Sequence, residues 1–222
     1  MPKRREITDE DFRKFVGEVT ARNKARAAKL QQYLDLVVEA QNRITKLGRL
    51  SSQIEDSDDL LRAIVVLNHA YLEDFLRTLG RELLPGCDEA TLNEIPLAKS
   101  GGRKEKFFLG RLSQFKGYMV DDLIDESVTE YLDKRSFTSS GDIIVFVDRL
   151  GFRLNATMKG QLRAIGNMIE RRHQIVHWAD RVVRSGKLKP ELQTIGVGRV
   201  VGWSLATSRF MVRLAQMHSD RR

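Results

Sequence analysis

Thiol chemistry is nearly absent from this sequence: one cysteine, Cys87, occurs in 222 residues. A lone thiol closes no internal disulfide, which agrees with a reducing compartment, and Cys87 has no evident catalytic partner. Proline is also sparse, at Pro2, Pro85, Pro96 and Pro190, so long stretches carry no helix breaker. No apolar run approaches the roughly 20 residues that span a bilayer. The opening Met1-Pro2-Lys3-Arg4-Arg5 lacks the apolar stretch and small-residue cleavage site of a secretory signal. These absences predict a cytoplasmic chain with no membrane attachment. Gly101-Gly102 is not followed by the Gly-Lys-Ser/Thr of a phosphate-binding loop, so no nucleotide P-loop is supported.

Hydrophobic residues supply 41% of the chain and charged residues 31%, a balance that builds a core and excludes a disordered polyelectrolyte. The 38 basic residues exceed the 30 acidic ones, leaving +8. Such a surplus favours polyanionic partners, because a cationic surface meeting phosphate releases condensed counterions. A mildly basic solvated surface has the same composition.

Helical spacing dominates the walk along the chain. Thr8 is placed to cap a first helix, with Asp9, Glu10 and Asp11 in its positively polarised first turn. Phe12, Phe15, Val16 and Val19, then Leu30, Leu34, Val37, Val38 and Ile44, continue it towards Gly48. A second helix begins after Ser57, capped there or at Asp56. It carries apolar residues around most of its circumference, from Leu60 to Leu79, which predicts a central place in a bundle. Pro85-Gly86 stops it. A loop follows from Pro96 to Arg103, then shorter helices over 105–115, 118–134 and 142–150. The run Ile143-Ile144-Val145-Phe146-Val147 also suits a strand, but no partner strand is evident. Asn155 or Thr157 opens a further helix through Leu162, Ile165, Ile169, Ile175 and Val176. Pro190 interrupts, and a last helix holds Val200, Trp203, Phe210 and Leu214. The fold class predicted is all-α: an antiparallel helical bundle in one domain over 1–222, with a long N-terminal helix or arm (1–50) and a bundle core (57–217).

The densest chemistry lies in Glu170-Arg171-Arg172-His173-Gln174-Ile175-Val176-His177-Trp178-Ala179-Asp180. Two of the four histidines stand here beside paired arginines, while Ile175 and Val176 anchor the backbone to the core. An imidazole moves a proton near neutrality, and a guanidinium neutralises charge building on phosphate oxygens, so the combination suits phosphodiester chemistry.

Arg172, four intervening residues and His177, with the polar His173 directly after the arginine, resemble the R-x4-6-H signature of the HEPN superfamily (higher eukaryotes and prokaryotes nucleotide-binding domain). Arg171 also fits the spacing. The second helix, Ala63 to Arg77 with its acidic pair Glu73 and Asp74, resembles the central helix of the RiboL-PSP-HEPN branch, and Trp203 fits a late apolar helix; the likeness spans roughly Leu60 to Leu214. The resemblance implies a metal-independent endoribonuclease without cofactor, acting as a toxin or anti-phage defence effector under an antitoxin or regulatory protein. Other members only bind nucleotides or partners. The implied reaction is attack of the RNA 2′-hydroxyl on the adjacent phosphorus, giving a 2′,3′-cyclic phosphate. His177 would transfer the proton, Arg172 stabilise charge and His173 orient phosphate or assist. The resemblance also implies a homodimer, with two motifs facing across a two-fold cleft.

Geometry sets a condition on that reading. Positions five apart diverge by about 140° on an ideal helix, whereas His173 and His177, four apart, share a face. Glu73 is the supporting candidate, paired with Arg172 or His177, with Arg171 beside it; an ordinary solvated face is the alternative. Arg181, Arg184 and Lys187 follow the motif as RNA-backbone contacts, or as a solvated charge run. Tyr71, Trp178 and Trp203 read as core aromatics rather than stacking platforms. Glu170, His173 and His177 have metal-ligand spacing, but no second E-x-x-H completes a site. The rival to a nuclease is a non-catalytic HEPN-like module that binds RNA or a protein.

Overall fold

The computed structural model describes residues 58–99, 113, 115–182 and 191–220, together with Asp35, Val38, Glu39, Asn42 and Lys46. The long helix expected over 8–48 lies outside the described residues apart from those five positions, which are helical. The loop tip Ser100-Gly101-Gly102, all but two positions of the helix expected over 105–115, and the break at 187–190 also lie outside them.

Helix α1 (Asp58–Leu83) places Asp58 and Asp59 in its first turn and Arg81 in its last, matching the helix dipole at both ends. Leu61, Ile64, Val65, Leu72, Phe75, Leu76 and Leu79 are buried along it, and three other long helices pack against it. Pro85-Gly86 ends it as the sequence predicts, through a 3-10 turn over Leu84–Gly86. The four-residue helix α2 (Glu89–Leu92) follows, capped by the Asp88 carboxylate, which accepts from Thr91 N at 2.9 Å.

Helix α3 (Val120–Asp133) lies against α1 and the 3-10 turn. Helix α4 (Ser140–Arg149) contains the Ile143–Val147 run and decides it as helix. Asp142 N donates to Ser139 Oγ at 3.1 Å and Ser139 N donates to the Asp142 carboxylate at 2.9 Å. This reciprocal cap fixes the helix start ahead of the β-branched run. Helix α5 (Ala156–Trp178) starts where Asn155 Oδ1 accepts from Met158 N at 2.9 Å. It buries Met158, Leu162, Ile165, Met168 and Ile169, one stripe at helical spacing. Strands β1 (Arg181–Val182) and β2 (Glu191–Leu192) form a minimal antiparallel pair with Arg181 opposite Leu192. Helix α6 (Val197–Ser219) closes the fold against α5 and α1.

The architecture is all-α, a helical bundle around one core running from Leu61 to Ala215. Among the described residues no helix is long and apolar enough to cross a membrane. One close approach is decisive for packing. A Cβ placed on Gly80 would lie 2.7 Å from Phe146 Cζ and 3.0 Å from Leu132 Cδ1, so only glycine lets α3 and α4 reach α1 here. Gly80→Ala is expected to destabilise by about 1–3 kcal/mol, overpacking outweighing the better helix propensity of alanine. Urea unfolding measures it, and an unchanged midpoint would mean the Phe146 ring swings aside at no cost.

Candidate functional site

The C-terminal end of α5 carries the candidate residues, and the chain there does something its helical pattern does not announce. Ala179 (φ 49°) and Asp180 (φ 58°) both adopt the left-handed region, which costs a non-glycine residue roughly 1–2 kcal/mol each. The conformation is held from three sides. Asp180 N donates to Gln174 O at 3.1 Å, and Gln193 N donates to Asp180 O at 2.9 Å. Arg62 Nε and one Arg171 Nη donate to the same carboxylate oxygen of Asp180, each at 2.7 Å.

These three side chains form a buried ion triad: that of Asp180 is fully enclosed, those of Arg171 and Arg62 6% and 10% exposed. The arginines also donate to backbone carbonyls of the segment that follows β2. Arg62 reaches Gln193 O at 3.0 Å, and Arg171 reaches Gln193 O at 2.9 Å and Thr194 O at 3.3 Å. A further Arg62 nitrogen donates to Asp59 at 3.0 Å. Burial opposes the Arg62 charge, but hydrogen bonds to Asp180 and Asp59 and the charges of Asp180 and Asp58 outweigh it, so its pKa is raised. Burial lowers that of Arg171; the charges of Arg62 and Arg199 add to this and Asp180 opposes it. Arg171 is thus a structural member of the site, tying α5 to α1 and the strand pair.

The knot presents the imidazoles outward. His173 and His177 are both exposed, their ring centroids 4.4 Å apart and their planes tilted by 48°. Trp178 lies edge-on to His173 at 6.1 Å. Its 62% exposure, with 48% for Val176, corrects the expectation that Trp178 is a core aromatic and Val176 a core anchor. Trp203 is buried as expected, and Tyr71 packs half-buried against the core. Arg181 is exposed on β1, whereas Arg184 and Lys187 lie outside the described residues.

Arg172 takes the other side of α5. It is half-buried, its Nε is enclosed with no hydrogen-bond partner among the described residues, and its charge bears on buried His69. Burial is the main cause of a lowered His69 pKa; Arg172 and Arg77 reinforce it, while the hydrogen bond to Phe137 O (2.9 Å from Nε2) and Glu73 oppose it. The pairing of Glu73 with Arg172 or His177 is corrected by the same neighbourhood. Glu73 Oε1 accepts from Phe137 N at 2.9 Å, and Arg77 lies 3.5 Å from its other oxygen. Arg77 donates in turn to Arg135 O at 2.8 Å. His69, Glu73 and Arg77 therefore clamp the 135–137 connection onto α1. The fold brings together His173, His177 and Trp178, and separates them from Arg172 and Glu73.

Sequence reasoning missed Arg62 and left Asp180 without a role. Arg62 reads as the partner of Asp58 and Asp59 one turn before it, and it does pair with both. Its longer-range tie to Asp180 has no local signature. Among the described residues no three His, Cys, Asp and Glu side chains group as a metal site. Comparison with protein-family models, curated proteins and solved structures finds no match.

Proposed function

We propose that this chain is a metal-independent endoribonuclease of the HEPN type, with His177 and His173 as its proton-transferring residues. The observation that carries the reading is the solvent-open His173–His177 pair with Trp178 beside it, mounted on a helix end fixed by a buried ion triad. Exposed imidazoles in contact, on a chain of charge +8, suit a polyanionic substrate whose backbone carries both the nucleophile and the leaving group.

In this reaction an imidazole nitrogen takes the proton of a ribose 2′-hydroxyl. The oxygen attacks the neighbouring phosphorus, the bond from phosphorus to the 5′-oxygen breaks, and a protonated imidazole returns a proton to that oxygen. The products are a 2′,3′-cyclic phosphate and a 5′-hydroxyl. Two rings in contact stand on one side of the phosphorus, whereas in-line displacement needs base and acid on opposite sides. A second copy of the chain supplies the opposing group, so the active species is a homodimer. Trp178 offers a face on which a base next to the scissile bond stacks.

Cleavage of RNA by the purified chain in excess EDTA, leaving 2′,3′-cyclic phosphate ends, is the expected result; absence of cutting across substrates and pH would remove the enzyme reading. The placement of Arg172 favours a second reading. With its charge directed towards His69 instead of His177, the exposed cluster serves as a non-catalytic RNA-binding surface. In that case RNA binds and stays intact.

A further inference from the structure

A second surface on the molecule has the chemistry of a polyanion contact, and it lies away from the histidines. Helix α6 carries three exposed arginines, Arg209 and Arg213 on this surface and Arg199 near Arg171, and no Asp or Glu along its 23 residues. No carboxylate pairs with any of the three among the described residues. The opposite extreme is α3, with six carboxylates and no cation, packed on α1 and the 3-10 turn. Charge is therefore sorted between these two helices, in contrast to the internal pairs of α1, and the acid-free helix is the one beside α5.

Between α6 and the first two turns of α5 lies an open cleft of about 410 Å³, within the range of about 300–1,000 Å³ that holds a small organic group. Arg209 and Arg213 line it from α6 with Ser208, and Thr157 and Gln161 line it from α5. Gln161 Oε1 is enclosed with no donor reaching it among the described residues, which costs free energy until a donor arrives. A ribose hydroxyl or a base amino group supplies such a donor once the Gln161 amide turns towards the cleft, and a phosphodiester, which has acceptors alone, does not.

We infer that the α5–α6 cleft, with Arg209 and Arg213 at its edge, binds one phosphate-bearing unit of a single-stranded RNA, as a docking subsite separate from the His173–His177 end. Gln161 and His173 are twelve positions apart on α5, about 18 Å along the helix axis, so a strand of several nucleotides is needed to occupy both. The inference rests on the proposed RNA-directed function, and it adds a docking role for α6 arginines to the one expected of the 181–187 segment.

The test uses the full chain and a fluorescent 20-nucleotide oligouridylate, with affinity read by anisotropy across a salt series. Arg209→Ala/Arg213→Ala is expected to bind roughly tenfold more weakly at about 0.1 M salt. The slope of log affinity against log salt should fall by about 1.4, which is two contacts at about 0.7 each on a single strand. Arg209→Lys/Arg213→Lys should keep the slope, and Lys159→Ala/Arg163→Ala, exposed cations elsewhere on α5, should keep both slope and affinity. In cleavage the alanine pair should raise KM with kcat unchanged. Equal weakening by both alanine pairs, or weakening by the α5 pair alone, overturns the subsite while leaving the ribonuclease reading in place. Displacement of the RNA by polyglutamate of equal charge as readily as by unlabelled RNA overturns the choice of RNA as occupant. A wild-type chain that binds no RNA at any salt overturns the subsite and the RNA-directed function together.

Discussion

Asp180→Asn is expected to lower the unfolding free energy by about 3–5 kcal/mol, the cost of leaving buried cations without their counter-charge. Asparagine keeps the shape of the side chain and tolerates the left-handed backbone at φ 58°, so the substitution tests charge rather than geometry. Arg62 and Arg171 would then face one another with only Asp59 and Asp58, outside the core, to answer them. The urea midpoint should fall with the slope of the transition unchanged. Arg62→Met/Arg171→Met in the same background removes the stranded cations and should recover most of the loss, since apolar replacement of a buried ion cluster is often neutral. If the triple variant is as unstable as Asp180→Asn alone, the carboxylate acts through the backbone and the electrostatic account is wrong.

His177→Ala should slow RNA cleavage by about 10²–10⁴-fold, the usual contribution of a positioned acid or base. The side chain is exposed, and among the described residues its ring contact is with His173, so the fold should be indifferent to its loss. Oligouridylate affinity should change little. Single-turnover cleavage in EDTA, followed on denaturing gels, separates the two quantities, and His173→Ala run in parallel ranks the imidazoles. Undiminished cutting by the His177 variant would take proton transfer away from this residue.

Much of the bundle is legible in the sequence because burial follows helical spacing. The stripe Met158, Leu162, Ile165, Met168 and Ile169 and the Pro85-Gly86 stop are written in consecutive residues, as is the Asn155 cap. The Ile143–Val147 run is ambiguous from side-chain type alone; the reciprocal Ser139–Asp142 cap resolves it. Helix α2 and the β1–β2 pair are too short to show any period. At the candidate site, the His173–His177 contact follows from a spacing of four, and the divergence of Arg172 follows from a spacing of five. The Arg62–Asp180 tie cannot be read, because it joins positions 118 apart and Arg62 already has local partners. Trp178 departs from its expected burial because hydrophobicity predicts an enclosed side chain only on the inward arc of a helix, and Trp178 falls at the helix's last residue, just before the left-handed turn.

The span closed by Arg62 and Asp180 also orders events in time. Fixing the turn that follows the histidines requires the carboxylate, both guanidinium groups, and the carbonyls of Gln193 and Thr194. A ribosome must therefore deliver the chain through Thr194 before this end of the molecule takes its final shape. Contacts of such sequence separation form slowly, because ring-closure entropy is lost before any of them is made. A nascent chain stalled short of that point holds His173 and His177 on an end that lacks its bonds to Gln193 and Thr194.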